Sequence, residues 1–169
     1  VLGYLQDVEN LPQLMSVVSN DADAEVRRAA VGTLIFAPAP MVSDTLMSAI
    51  TDENWLVRVE SIKGLGKLKV AESLGLLISA IDDERWQVQE KAAEAIGILG
   101  NPEGISALAN CIEDPISNLR KSAVAALGEI KHVDGLPLLE IAKNDNDPDV
   151  RKLARWASER IADAAEAEA

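Results

Sequence analysis

Apolar side chains return along this chain at a fixed interval of 31 residues: Val26, Val57, Val88, Leu119 and Val150 share one register. Four residues beyond them stand Ala30, Ser61, Ala92, Ala123 and Ala154, and eight beyond stand Leu34, Leu65, Ile96 and Leu127. Leu68, Leu99, Ile130 and Ile161 follow at eleven. Steps of four, four and three keep these side chains on one face of a helix, so the spacing predicts one amphipathic helix per repeat. A second apolar series precedes it: Met15, Leu46, Leu77, Leu108 and Leu139, then Val18, Ala49, Ala80, Cys111 and Ala142, joined in the middle repeats by Ile50, Ile81 and Ile112. Spacings of three and four predict a second helix there. Two helices with one-sided stripes cannot bury them alone, whereas stacking on neighbouring hairpins buries both. A chain with this period is an array of small equivalent units.

Polar residues keep the same beat. Asp21, Asp52, Asp83, Asp114 and Asp145 stand five residues before the repeated Val or Leu, and Arg27, Arg58, Gln89, Arg120 and Arg151 stand one after it. Asp is a favoured N-cap, so these acids are expected to open the second helix. Gly66, Gly97 and Gly128 recur near its end and predict a tightened stop. Asn101-Pro102-Glu103-Gly104 and His132-Val133-Asp134-Gly135 read as turns. The first repeat departs from the pattern: in Leu34-Ile35-Phe36-Ala37-Pro38-Ala39-Pro40 the two prolines predict a helix end followed by a bend or rigid extended connector, with Phe36 in a place otherwise polar. Leu2-Gly3-Tyr4-Leu5 matches Leu65-Gly66-Lys67-Leu68 after a one-residue shift, which predicts that residue 1 falls partway through a repeat. The chain then divides into a remnant over 1–10, five repeats over 11–161 and an acidic Ala-rich tail over 162–169 with Asp163, Glu166 and Glu168, all within a single array.

Asp-x5-Arg-x2-Ala at this period resembles the short HEAT-like repeats of the phycobilisome-lyase type, most clearly over Asp52 to Gly66, Asp83 to Gly100 and Asp114 to Gly128. The likeness runs from Leu11 to Ile161. It implies an all-α fold: an α-α superhelix, or HEAT-like α-solenoid, of about five helical-hairpin repeats. It also implies that Asp21, Asp52, Asp83, Asp114 and Asp145 form a structural ladder with Arg27, Arg58, Arg120 and Arg151, each Arg meeting carboxylates of its own or the next unit. Acid–base or metal chemistry does not need five identical copies, each beside a guanidinium. Gln89 weakens one rung.

Composition narrows the function. Hydrophobic residues make up 48% of the chain with only one Phe, one Tyr and three Trp, so the interior is Ala, Leu, Val and Ile, which suits close-packed helices. The net charge of −12 argues against nucleic acid and favours a protein partner with a basic surface. No apolar stretch reaches membrane-span length and no signal peptide is visible, so a cytoplasmic location away from membranes is expected. Cys111 is single and set in an apolar run, where it reads as a small buried hydrophobe, and it excludes a disulfide framework or thiolate metal site. His132, the only histidine, lies in a turn beside Asp134. Some HEAT-like enzymes hold di-iron through repeated His-Glu pairs, and this chain has no such dipeptide. With no phosphate loop or nucleophile–base pair either, neither catalytic residues, metal nor cofactor are expected.

What varies between repeats is the outer surface of the second helix, on the side that lines the concave face of such arrays. Trp55 and Trp86 occupy equivalent positions in adjacent repeats, where they are expected about one helix diameter apart, roughly 10 Å. With Val59, Lys63, Glu90, Arg28 and Lys121 they form the expected partner-binding patch, unless both rings are spent on packing between repeats. Trp156 is assigned to a C-terminal cap whose polar outer face comes from Arg155, Glu159 and Arg160. The reading is a non-catalytic protein-binding scaffold or adaptor that recognises a partner on its concave helical surface. The alternatives are a subunit of a phycobilin lyase-like chromophore-attachment factor, with Trp55 and Trp86 stacked on a bilin and Lys63 at a propionate, and a regulatory HEAT-like domain excised from a larger protein.

Overall fold

The computed structural model describes residues 8–167; Leu2-Gly3-Tyr4-Leu5 and Glu168 lie outside them. Helices and turns account for these residues, and no strand occurs among them. The helices are α1 (Leu11–Asn20), α2 (Ala24–Leu34), α3 (Ala39–Ala49), α4 (Trp55–Lys67), α5 (Leu74–Ala80), α6 (Trp86–Leu99), α7 (Ile105–Ile112), α8 (Ser117–Ile130), α9 (Leu136–Ala142) and α10 (Pro148–Ala167). They fall into two compact units, Val1–Leu76 and Leu77–Ala169.

In the first unit α1 packs on α2 and α3 on α4, while α2 lies against α4 and α1 against α3. The result is two layers, one of first helices and one of second helices, closed around Val31, Leu34, Val42, Leu46, Val57, Ile62 and Leu65. Each fully buried aliphatic of this kind contributes about 1.5–3 kcal/mol. Ser61 takes an alanine position in the stripe because its hydroxyl donates to the Leu46 carbonyl, so no polar atom is stranded. Val26 departs from its register: Val57, Val88, Leu119 and Val150 are buried, but Val26 is 41% exposed. Val57 is covered where α4 meets α2, and no earlier second helix among the described residues flanks α2 in the same way.

The connector after α2 also differs from expectation. Leu34 ends the helix, Phe36 and Ala37 form a tight turn back onto Thr33 and Leu34, and Pro38 alone is extended. Pro40 does not break a helix. It lies in the first turn of α3, where the missing N–H has no partner to lose. Phe36 stays exposed, with the Lys67 ammonium 4.1 Å from its ring centre.

In the second unit α6, α8 and α10 stand side by side, with α7 and α9 packed against each other on the other layer. Val88, Ile96, Leu108, Leu119, Leu127, Leu139, Val150 and Ile161 fill the interior. The repeated glycines do not stop the helices; they let neighbours touch. A Cβ on Gly97 would sit 2.7 Å from the Cα of Ala126, and one on Gly128 would sit 2.9 Å from the Cβ of Ala157. The left-handed residues that end the helices come three positions later, at Gly100 (φ 68°) and Lys131 (φ 57°), with Lys69 (φ 52°) their counterpart in the first unit. There the sizes at the contact are exchanged: Ile35 holds the glycine register and Gly64 faces it, with a Cβ there 2.9 Å from Ile35 Cγ2.

Close backbone approach leaves no room for a methyl group. Gly97→Ala is expected to lower unfolding stability by about 1–3 kcal/mol. Adding Ala126→Gly should recover only part, because the nearest contact is a backbone atom. Urea denaturation checks this, and a Gly97→Ala chain as stable as the parent would refute the contact.

Candidate functional site

The turn between the helices of each hairpin is built on the repeated aspartate. It is not the N-cap. It lies two residues earlier, where its Oδ1 accepts the amide of the second residue on: Asp23 onto Asp21 (2.9 Å), Asn54 onto Asp52 (2.8 Å), Arg85 onto Asp83 (2.9 Å), Ile116 onto Asp114 (2.7 Å) and Asp147 onto Asp145 (2.7 Å). Asp23, Asn54 and Asp147 cap the helices proper, accepting from Glu25, Leu56 and Asp149. Short polar side chains stabilise such turns through their own backbone, and this one leaves carboxylate capacity for a partner.

For Asp52 and Asp145 that partner is the arginine of the preceding repeat. Arg27 donates from Nε and Nη2 to the two oxygens of Asp52, both at 2.8 Å, while Nη1 donates to the carbonyls of Asp21 and Ala22 in its own turn. Arg120 does the same to Asp145 at 2.6 and 2.9 Å, and to the carbonyls of Asp114 and Pro115. Arg58 and Arg151 bind their own turns through Nη1 in the same way. Gln89 keeps only that arm: its amide donates to the Asp83 carbonyl at 2.6 Å, and it has no guanidinium fork for Asp114. For Asp52 burial is the largest effect and opposes ionisation, yet the bonds from Arg27 and the Asn54 amide outweigh it and hold the carboxyl below its usual range. Asp145 is lowered chiefly by Arg120, against burial.

Within each unit the outward side of the second helices carries the variable residues. In the first unit Trp55 is the first residue of α4 and half-buried, as is Val59 one turn on. Lys63 is exposed and paired with Glu60 at 2.9 Å; Arg28 is paired with Glu25 at 2.8 Å. In the second unit Trp86 is the first residue of α6 and half-buried, and Glu90 lies 3.8 Å from Lys91. Lys121 is held by Asp147 at 3.0 Å and Asp149 at 3.4 Å. Its bond, with the Asp149 amide and Ser117, brings the Asp147 carboxyl down to about 2. The anticipated cations Arg28, Lys63 and Lys121 are thus already matched by carboxylates of their own unit.

Absent from the expected site is a groove of the second unit, between α8 and α10, lined by Lys121, Asp149, Lys152, Leu153 and Trp156. Trp156 closes against α8 because Gly128 has no side chain, the ring lying 2.9 Å from where a Cβ would be. Arg160 covers the ring at 4.8 Å and anchors to the Gly128 carbonyl and Glu129. Trp156 does serve the C-terminal packing, yet 37% of it remains exposed. The register already held the signal: Lys121 and Lys152 are equivalent positions, with Trp156 one turn beyond.

Groups with reactive chemistry are placed where they do little. Cys111 is buried, and burial, with Asp114 and Asp82, pushes its thiol up to about 11. His132 accepts the Asp134 amide at 3.3 Å in a surface turn. Among the described residues no group of three or more His, Cys, Asp or Glu could hold a metal ion, and no helix is long and apolar enough to cross a membrane.

A family model for HEAT repeats matches residues 11–96 and again 74–159. Among solved structures, the complex of CpcE and CpcF of phycocyanin lyase from Nostoc sp. PCC7120 aligns with a TM-score of 0.79 at 20% identity, over 90% of this chain and 65% of that one. This chain therefore spans slightly less than two thirds of that protein's length. A designed armadillo repeat protein in complex with the peptide (KR)4 aligns with a TM-score of 0.73 at 22% identity, covering 94% of this chain and 84% of the design. At these identities the likeness is one of fold. No curated protein matches by sequence.

The ionised turn acids make stability pH-dependent with a definite sign. Asp52, Asp145 and Asp147 are lowered in the folded state from an ordinary value of 3.8, so their contribution is complete above about pH 4 and is lost as pH falls toward 2. The urea midpoint is expected to drop across that window, less steeply in Asp145→Asn. A midpoint flat from about pH 5 to 2 would contradict the assignment.

Proposed function

The chain belongs to the HEAT-repeat family, and from that premise we propose that it is a non-catalytic protein-binding scaffold or adaptor, recognising its partner on the face formed by the second helices. The observation that carries this reading is the contrast between two sets of positions. Those turned inward repeat as small or branched aliphatics, while the equivalent outward positions run Arg28, Val59, Glu90, Lys121 and Lys152. A constant frame bearing a changing surface discriminates partners; it does not concentrate one reaction.

Trp55 and Trp86 supply the anchors. Each opens a second helix half-buried, so the ring is held in place yet keeps contact area for a partner, and Trp is among the residues enriched in interface hot spots. The net charge of −12 favours approach by a basic partner at long range. The fold likeness adds support: the designed armadillo protein holds a peptide, and CpcE is seen in complex with CpcF. That last likeness also favours a second reading, a subunit of a phycobilin lyase-like chromophore-attachment factor.

Affinity capture with the parent chain and with Trp55→Ala/Trp86→Ala separates anchors from packing, with circular dichroism and urea midpoints reporting that the variant folds. The double variant is expected to lose its partners by roughly tenfold or more while remaining folded. Equal recovery of the same partners would remove the site. In a parallel titration with an open-chain tetrapyrrole, the scaffold reading expects an unchanged visible spectrum; a shifted spectrum would favour the lyase-like subunit.

A further inference from the structure

The α10 wall of the groove between α8 and α10 is locally basic in a chain that is acidic as a whole. The protein carries −12, but the stretch from residue 151 to 160 holds Arg151, Lys152, Arg155 and Arg160 against the single acid Glu159. The neighbouring carboxylates are already engaged: Asp147 and Asp149 with Lys121, Glu129 with Arg160. Lys152 and Arg155 are exposed, and no ion pair involves either of them among the described residues. Lys152 lines the groove with Lys121, Asp149 and an apolar step made by Leu153 and the exposed part of Trp156, and Arg155 stands one turn along α10 from Lys152, outside that lining.

We propose that this groove binds a short acidic peptide segment carrying a pair of bulky apolar side chains. The apolar pair rests on Leu153 and Trp156, and flanking carboxylates meet Lys152 and Arg155. Contact electrostatics are decided within a Debye length of about 8 Å at physiological salt, and within that range Asp147 and Asp149 are already matched by Lys121, so the unpaired Lys152 and Arg155 set the local preference once the segment is seated. Trp156 is prepared for this role, being fixed on one side by α8 and on the other by Arg160, so little ring motion is lost on binding. A basic segment would instead face two unneutralised cations, which disfavour it. The proposal rests on the second-helix face being a binding surface. It deepens that reading at the C-terminal end, and it departs there from the preference for basic partners that net charge alone suggests.

Fluorescence anisotropy of the whole chain tests it with a labelled peptide of glutamates around a central Leu-Phe. Companion peptides replace the glutamates by glutamine or lysine, or the Leu-Phe by alanines. Binding is expected to run acidic over neutral over basic, to weaken with added salt and to fall when the apolar pair is removed. Lys152→Glu, a surface change, should weaken the acidic peptide roughly tenfold, and Trp156→Ala at least as much, whereas Trp55→Ala/Trp86→Ala should leave it unchanged. Equal or tighter binding of the lysine peptide, insensitivity to Lys152→Glu, or no binding of the acidic peptide by the parent would overturn the proposal. Partner capture that still depends on Trp55 and Trp86 would then leave the scaffold reading standing, so the two can fail separately.

Discussion

A guanidinium that serves two repeats at once is the interaction on which this architecture depends. Arg27 and Arg120 each use one arm to close the turn of their own hairpin and a two-pronged fork to grip the aspartate of the next. The aspartate has its own second task, holding the amide two residues on. A loose turn would misplace the arginine, and a misplaced arginine would leave the next turn's acid buried without a partner. Breaking such a buried pair costs about 3–5 kcal/mol, even though its net contribution over an apolar replacement is small. Its value lies in register: the fork fits only when successive hairpins are offset by one repeat.

Helix contact supplies what the ladder does not. Second helices approach closely enough that Gly97 and Gly128 have no room for a methyl, and the Gly64–Ile35 pair shows that the glycine can stand on either side of such a contact. With the helix contacts and the turns fixed in this way, the outward register of Arg28, Val59, Glu90, Lys121 and Lys152 changes from repeat to repeat, while Trp156 packs on α8 and still keeps part of its ring exposed.

Much of this was legible in the chain, for identifiable reasons. Helix positions and core residues follow from a stripe that repeats five times; the family resemblance implied an Arg–Asp ladder but left open whether each Arg meets its own unit or the next, and Arg27 and Arg120 turn their forks to the next. Finer roles were not legible where one residue type serves two ends. Asp at a helix start can cap or form the preceding turn, and only the amide it accepts tells which. Gly near a helix end can stop the chain or admit a neighbour; Gly97 and Gly128 do the latter, while Gly100 and Lys131 turn the backbone. Val26 shares the register of buried residues, but exposure depends on what flanks a helix, which periodicity does not encode. That Lys121 is matched within its own unit is not legible, because Asp147 and Asp149 lie 26 and 28 residues away in sequence.

The most direct measurement is a double-mutant cycle on Arg120 and Asp145, using Arg120→Gln, the change that position 89 already carries, and Asp145→Asn. If the fork is what locks one hairpin to the next, unfolding free energies should give a coupling of about 1–3 kcal/mol, well above the roughly 0–1 kcal/mol of an exposed pair. A coupling within about 0.3 kcal/mol of zero would mean that the hairpins hold their register without the ladder.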